Sequence, residues 1–381
     1  MQDGMAAATR ETVMINRRAV LRRGGVALGV GLGGMGLGGI GLSSLGIGGL
    51  DFASAAAADP LAGVDPALRA GAATVLAMGA KLSPLTTARL PILRAGGAAM
   101  AGPLRADVPV EARKIAVGPG IPDVTVQVIN AGSRASGGPR PAILHTHGGG
   151  FVAGSALAER GYLQDFAHAL DCVIVSVEYT LAPEARFTRS VAETYAGLRW
   201  LHDQAEALGV DRRRLAVMGE SAGGGHAALL AIQARDRGEV PLVLQVLTYP
   251  MLDDRTGSTV MPPPGIGKLG WDAQANRFGW ESFLGAAPGS RAVPAAGVPA
   301  RCTRLAGLAP AFIGVGGIDL FVDEDITYAR RLTDAGVPTE LLVIPGAYHG
   351  FDRVVPDASP SRRLIAARLA ALRRAFGQPG G

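Results

Sequence analysis

The chain has few residues of the types on which several specialised folds depend. Only two of its 381 residues are cysteine and six are histidine. Two cysteines exclude a small domain held by several disulfides and a four-cysteine zinc site, and six histidines leave few ways to build another metal site. Charged residues make up only 18%, against 48% hydrophobic residues, so the chain can bury a large core and is not intrinsically disordered.

The chain also lacks a strong excess of charge. There are 37 basic and 32 acidic side chains, and the difference of +5 is small and scattered along the sequence. This excludes the dense basic face of a nucleic-acid-binding protein. The length of 381 residues fits two average domains or one large α/β domain.

The first 58 residues have the composition of an export signal. A basic cluster at 16–23 is followed by 24–50, which carries no charge and includes thirteen glycines, and then by the small residues of 52–60. This order predicts a cleaved signal peptide, and the Arg17-Arg18 pair predicts the twin-arginine route to the periplasm or the exterior. A transmembrane anchor is the alternative, but so many glycines supply little apolar area and disfavour a helix.

A glycine motif inside this segment does not indicate a nucleotide site. Gly31–Gly36 matches the G-x-G-x-x-G pattern of dinucleotide-binding folds. That reading requires a strand before the motif and a helix after it. Here an arginine cluster precedes it and more glycine follows it, so we predict no cofactor there.

The rest of the chain alternates strands with helices. Apolar runs predict strands at 113–117, 124–130, 142–146, 172–179, 215–218, 242–249, 311–315 and 340–344. Helices are predicted at 157–170, 191–208, 222–235, 324–335 and 361–376. This alternation predicts an α/β domain with a mostly parallel central sheet and helices on both faces. Residues 60–105 and 255–300 interrupt the alternation, and we expect them to form a helical cap over the sheet.

The segment Gly219-Glu220-Ser221-Ala222-Gly223 lies between a predicted strand and a predicted helix. G-x-S-x-G at such a junction is the pattern of a nucleophile elbow, in which a sharp turn presents the serine hydroxyl above the sheet. Glycine is needed on both sides because the turn is crowded. We therefore predict that Ser221 is a nucleophile, rather than a helix cap in a structural turn.

A second glycine-rich segment, His147-Gly148-Gly149-Gly150, directly follows a predicted strand. Its backbone N–H groups can point into a cavity and stabilise an oxyanion. We predict that Gly148 and Gly149, together with the N–H of Ala222, form an oxyanion hole. We expect His147 to brace this loop, and no metal is predicted at the His145–His147 pair.

A serine nucleophile requires a base and an acid that orients the base. Asp319 follows the predicted strand 311–315, and His349 follows the predicted strand 340–344. The order Ser221, Asp319, His349 is the order of the triad in α/β-hydrolases. Asp323 is the alternative acid, but its place at the start of a helix suits a dipole role better.

Together, these motifs resemble the bacterial hormone-sensitive lipase family of carboxylesterases over residues 110–376, as does the segment 178–184. The resemblance implies an α/β-hydrolase fold with a helical cap, no cofactor, and hydrolysis of short- to medium-chain acyl esters by Ser221, Asp319 and His349. The chain departs from the family in having Glu220 where aspartate is common. It has His145 where an aromatic residue is usual.

The sequence is also compatible with other functions. The same motifs would serve a hydrolase of amides, lactones or carbamates, a lipase for long chains, or, less readily, an inactive binding protein. The expected partner is a small-molecule ester; we predict no nucleic acid and no membrane span in the mature form.

Further residues are assigned by position alone. Phe151, Glu220 and Leu320 are expected to line the substrate pocket, and Trp271 and Trp280 to pack in the cap. The arginines of the last helix are expected to form a solvated face: 362, 363, 368, 373 and 374.

Overall fold

The computed structural model describes residues 59–99, 101–132 and 138–379. The predicted export segment, residues 1–58, lies outside the described residues. Within them, eight strands form one sheet: β1 (Val110–Ile115), β2 (Val124–Ile129), β3 (Arg140–Thr146), β4 (Val173–Val177), β5 (Val210–Glu220), β6 (Leu244–Thr248), β7 (Ala311–Gly316) and β8 (Thr339–Ile344).

The helices largely occupy the intervals between these strands. They are α1 (Arg69–Leu82), α2 (Leu90–Ala99), α3 (Arg160–Leu170), α4 (Phe187–Asp203), α5 (Ala205–Leu208), α6 (Ala222–Arg237), α7 (Ala273–Leu284), α8 (Val322–Asp334), α9 (Phe351–Val354) and α10 (Ser359–Ala375). Single 3-10 turns occur at Pro66–Leu68, Thr87–Arg89, Ala295–Gly297 and Pro299–Arg301.

The sheet is mostly parallel, which confirms the predicted architecture. The strand order is β1-β2-β4-β3-β5-β6-β7-β8. β1 pairs with β2 and β2 with β4 in antiparallel fashion, whereas every pairing from β4 to β8 is parallel. Parallel strands end at the same edge, so the loops after β3, β5, β7 and β8 emerge on one side of the molecule.

Two apolar layers cover the sheet. Successive strand residues alternate between them, with Ile143 in one and Leu144 in the other. α4, α6 and α8 pack on the face of Leu144, and α3 and α10 pack on the face of Ile143. Both faces are buried, which is why these strands are almost continuously hydrophobic in sequence.

The element boundaries differ from the predicted ones where charge obscures the pattern. β5 begins at Val210 and not at Leu215, because the charged residues 211–214 extend the strand past the buried part of the sheet. The register with β3 shifts between Arg140 and Ala142, where this extension begins. In the described part of the chain, no helix combines the length and the apolar character needed to cross a bilayer.

Candidate active site

Ser221 lies in a sharp turn between β5 and α6. Its φ angle is +57°, in a region that residues other than glycine rarely adopt. The turn requires glycine nearby, since a Cβ at Gly219 would lie 2.3 Å from the carbonyl oxygen of Gly223. Hydrogen bonds fix the strained residue: its N–H donates to Thr248 O at 2.9 Å, and its carbonyl accepts from Met251 N at 2.9 Å. The hydroxyl is therefore presented from a rigid position.

The loops after β7 and β8 bring an acid and an imidazole to this hydroxyl. His349 Nε2 lies 2.9 Å from Ser221 Oγ, and His349 Nδ1 lies 2.8 Å from Asp319 Oδ2. An ionised carboxylate only accepts hydrogen bonds, so Nδ1–H donates to Asp319 and Nε2 is left to accept the serine proton. Asp319 is fully buried, and its Oδ1 accepts from Phe321 N at 3.0 Å.

Aromatic rings fix the orientation of the imidazole. His349 makes edge contacts with Tyr249 and Phe321, at centroid distances of 4.8 and 5.1 Å. These contacts restrict the ring to the plane that joins Ser221 to Asp319. The arrangement has the geometry of a general base held by an acid.

Backbone donors surround the same hydroxyl. Gly148 packs against the elbow so closely that a Cβ there would lie 3.0 Å from Glu220 O and 3.5 Å from Ser221 Cβ. Gly149 has a φ of +121°. Among the hydrogen bonds of the described residues, none is donated by the N–H of Gly148, Gly149 or Ala222. These three N–H groups are free to bind an oxyanion.

His147 supports this glycine loop from behind. Its ring stacks on Tyr179 at 4.1 Å, and its Nδ1–H donates to Gly148 O at 2.9 Å. The Tyr179 hydroxyl donates to His147 O at 2.7 Å. Burial lowers the pKa of His147 to about 4, so the ring is neutral near neutral pH. His147 therefore contacts the loop it was predicted to brace.

A cavity of about 390 Å³ opens above Ser221 and His349. Its walls come from α1 and α2, both within the segment predicted as cap, and from the loops after β3 and β8. Most of the side chains from α1 and α2 are apolar: Met78, Leu82, Ile92 and Leu93. The cavity can hold a small apolar molecule with a reactive carbonyl at the hydroxyl.

Two of the three residues predicted to line the pocket lie elsewhere. Phe151 has a φ of +66°, which turns its ring into the core, where it stacks on Phe283 at 3.9 Å. Leu320 is buried against Gly267 and does not reach the cavity. Glu220 does line it, and so does Trp271, whereas Trp280 is fully buried against Phe151.

A buried charge cluster lies beside the nucleophile. Glu220 accepts from His145 Nε2 at 2.9 Å and from the Arg368 guanidinium at 3.3 Å. The same guanidinium donates to Asp352 at 2.8 Å, and Asp352 accepts from the Tyr249 hydroxyl at 2.8 Å. Burial alone would raise the pKa of Glu220, but His145 and Arg368 hold it below its usual range.

Arg368 corrects the prediction that the arginines of the last helix form a solvated face. It is fully buried, while Arg363 on the same helix is exposed. The sequence carried a signal for this, since Arg368 follows Leu364 by four residues and precedes Leu372 by four. It therefore lies on the apolar stripe of α10, where an arginine needs a buried acidic partner.

Replacement of Arg368 by methionine is expected to destabilise the protein by about 3–5 kcal/mol, because two buried carboxylates then lose their shared cation. Urea unfolding at neutral pH measures this loss. Arg363→Met is the matched control on the exposed face of α10, and its change should stay within about 0.5 kcal/mol. Equal stability of the two variants would show that the cluster contributes nothing.

The chain is similar to known α/β hydrolases and esterases. A family model described as the alpha/beta hydrolase fold matches residues 143–353. Esterase LipI of Mycobacterium tuberculosis is 36% identical over 235 residues, which cover 60% of this chain and 72% of that protein. Carboxylesterase NlhH of the same species is 36% identical over 248 residues, which cover 62% of this chain and 74% of that protein.

A solved structure extends the similarity over more of the chain. Bacterial heroin esterase matches with a TM-score of 0.75 and 35% sequence identity. The match covers 84% of this chain and 99% of that one. The match therefore covers more of the chain than the segment 143–353 that the family model matches.

Proposed function

This chain belongs to the hormone-sensitive-lipase-like family of alpha/beta hydrolases and is a carboxylic ester hydrolase, and we propose that Ser221, His349 and Asp319 form its catalytic triad. The observation that supports this assignment is the continuous hydrogen-bonded chain from Ser221 Oγ through His349 to Asp319. The role of each member follows from which of its atoms can donate a proton and which can accept one.

In the first half-reaction, Ser221 Oγ attacks the ester carbonyl carbon while its proton passes to His349 Nε2. The N–H groups of Gly148, Gly149 and Ala222 stabilise the oxyanion. As the tetrahedral intermediate collapses, the bond to the alcohol oxygen breaks, and His349 gives its proton to that oxygen. The products are the free alcohol and an acyl ester of Ser221.

In the second half-reaction, water attacks the acyl-enzyme. His349 takes the proton of the water, and the oxyanion forms again at the same N–H groups. Collapse breaks the bond to Ser221 Oγ, which recovers its proton from His349, and the carboxylic acid leaves. Asp319 stays ionised throughout and stabilises the imidazolium.

We also propose a preference for short- to medium-chain acyl groups. The cavity of about 390 Å³ is at the small end of ligand sites, which span roughly 300–1,000 Å³. Each methylene that is buried in it contributes about 0.8 kcal/mol, or about fourfold in kcat/KM. A chain that outgrows the cavity gains nothing further and leaves apolar surface in water.

A series of p-nitrophenyl esters from acetate to palmitate tests this preference on the purified protein without residues 1–58. We expect kcat/KM to rise from acetate to a maximum between butyrate and octanoate and to fall towards palmitate. A maximum at palmitate would indicate a long-chain lipase instead. The same triad could also cleave amides, lactones and carbamates. Their kcat/KM values are measured in parallel and compared with those of the esters.

A further inference from the structure

A second cavity lies next to the one that contains Ser221. Its volume is about 280 Å³, and it is bounded by α1, by the turn that follows α1, and by residues 268–275, which lead into the first turn of α7. Three residues line both cavities: Leu82, Leu93 and Trp271. The two spaces are therefore neighbours, and these side chains lie between them.

The Trp271 indole is the largest part of this partition, and it is held in place. The six-membered ring lies directly on Gly150, where a Cβ would approach Trp271 Cη2 to 2.2 Å. The indole N–H donates to Asn276 Oδ1 at 3.2 Å, and the Asn276 amide donates to Thr256 O at 2.8 Å. Asn276 is fully buried. A ring fixed on both sides acts as a wall rather than as a mobile gate.

The wall of the second cavity packs against His349 of the proposed triad. Gly270, which lines this cavity, packs on His349, and a Cβ at Gly270 would lie 2.4 Å from His349 O and 3.1 Å from His349 Cβ. His349 delivers the proton to the departing alcohol in the proposed mechanism. The alcohol half of the ester must therefore leave on the side of His349, next to Gly270 and Trp271.

The lining of the second cavity suits an apolar group. Val75, Leu76 and Leu85 contribute aliphatic surface. Two of the polar side chains there already have hydrogen-bond partners. The Gln274 amide accepts from Leu85 N and donates to Leu85 O, and the Asp272 carboxylate accepts from Ala275 N at the start of α7. An alkyl or aryl group could enter without leaving these polar atoms unpaired.

We propose that Trp271 is the residue that determines specificity for the alcohol half of the ester, because its indole closes off the second cavity and so limits the size of the alcohol. This inference rests on the proposed triad, which fixes the side on which the alcohol leaves. Removal of the indole joins the two cavities and gives larger apolar alcohols a place to bind.

Two substrate series measured on wild type and Trp271→Ala test the proposal. The first varies the alcohol of butyrate esters from ethyl to octyl, and the second varies the acyl chain of ethyl esters. We expect the ratio of kcat/KM for octyl over ethyl butyrate to rise at least tenfold in Trp271→Ala, since each newly buried methylene contributes about fourfold and two of them already give about sixteenfold. The acyl series should keep its wild-type shape. Trp271→Phe keeps an aromatic ring and should give a smaller rise in the same ratio.

A second substitution tests whether the second cavity receives the alcohol. Gly79 lines only that cavity, and a Cβ there meets no heavy atom within 4 Å. Gly79→Leu in the Trp271→Ala background should return the octyl-to-ethyl ratio to the wild-type value. A ratio that stays high would show that the alcohol occupies another space.

The outcomes separate this proposal from the proposed triad. An unchanged octyl-to-ethyl ratio in both Trp271 variants, or a broadened acyl series instead, overturns the role of Trp271 and leaves the triad intact. A wild-type protein that hydrolyses none of the esters, or that loses nothing on Ser221→Ala, overturns the triad itself.

Discussion

Replacement of Ser221 by alanine is expected to lower kcat for p-nitrophenyl butyrate by about 10⁶-fold, the loss typical of removing a triad nucleophile. The reason is that no acyl-enzyme can form without the hydroxyl, while the oxyanion donors Gly148, Gly149 and Ala222 remain. Steady-state hydrolysis of purified protein measures the loss, and circular dichroism checks that the variant is folded.

Ser359→Ala is the matched control for this experiment. Ser359 is exposed at the start of α10, outside the three loops that carry the triad residues. The control should hydrolyse the ester at the wild-type rate. If Ser221→Ala retained that rate as well, the nucleophile would have to be another residue.

Replacement of Asp319 by asparagine is expected to lower kcat by about 10⁴-fold with little change in the fold. An asparagine amide can donate to His349 Nδ1, which stabilises the tautomer in which Nε2 carries the proton. That tautomer cannot accept the proton of Ser221, and the charge that stabilises the imidazolium is also gone. The measurement is the same steady-state assay.

Asp323→Asn tests which of the two acids considered from the sequence, Asp319 or Asp323, belongs to the triad. Asp323 lies exposed in the first turn of α8, whereas Asp319 accepts the hydrogen bond from His349. We expect Asp323→Asn to keep the wild-type kcat. A large loss in Asp323→Asn together with an active Asp319→Asn would reverse the assignment.

The sequence was most informative where chemistry is carried by short motifs at strand ends. Ser221, Asp319 and His349 each follow an apolar run that forms a parallel strand. Parallel strands end at one edge, so residues that are about 30 to 130 positions apart in sequence lie together. That inference needs only the alternation of strands and helices and the direction of pairing.

The sequence was less informative where side-chain direction or tertiary contact decides the outcome. Phe151 has the position of a pocket residue, but its backbone lies in the left-handed region and the ring points into the core. Trp271 lies in a loop without regular structure, so its place between two cavities depends on packing against Gly150. No local periodicity encodes either feature.

Arg368 is an intermediate case. Its helical spacing from Leu364 and Leu372 places it on the apolar stripe, so its burial can be predicted from the sequence. Its acidic partners cannot be predicted in this way, because Glu220 and Asp352 come from the elbow and from α9. A charged residue on an apolar stripe therefore predicts a buried partner without identifying it.

The most direct test of the account is covalent trapping of the nucleophile. Purified protein is treated with a fluorophosphonate, digested, and mapped by mass spectrometry. We predict one adduct, on the peptide that contains Ser221, with loss of esterase activity in proportion to labelling and no adduct in Ser221→Ala. Two outcomes would contradict the assignment of Ser221 as nucleophile. One is an active esterase that acquires no adduct on treatment with the fluorophosphonate, and the other is inactivation by an adduct on another residue.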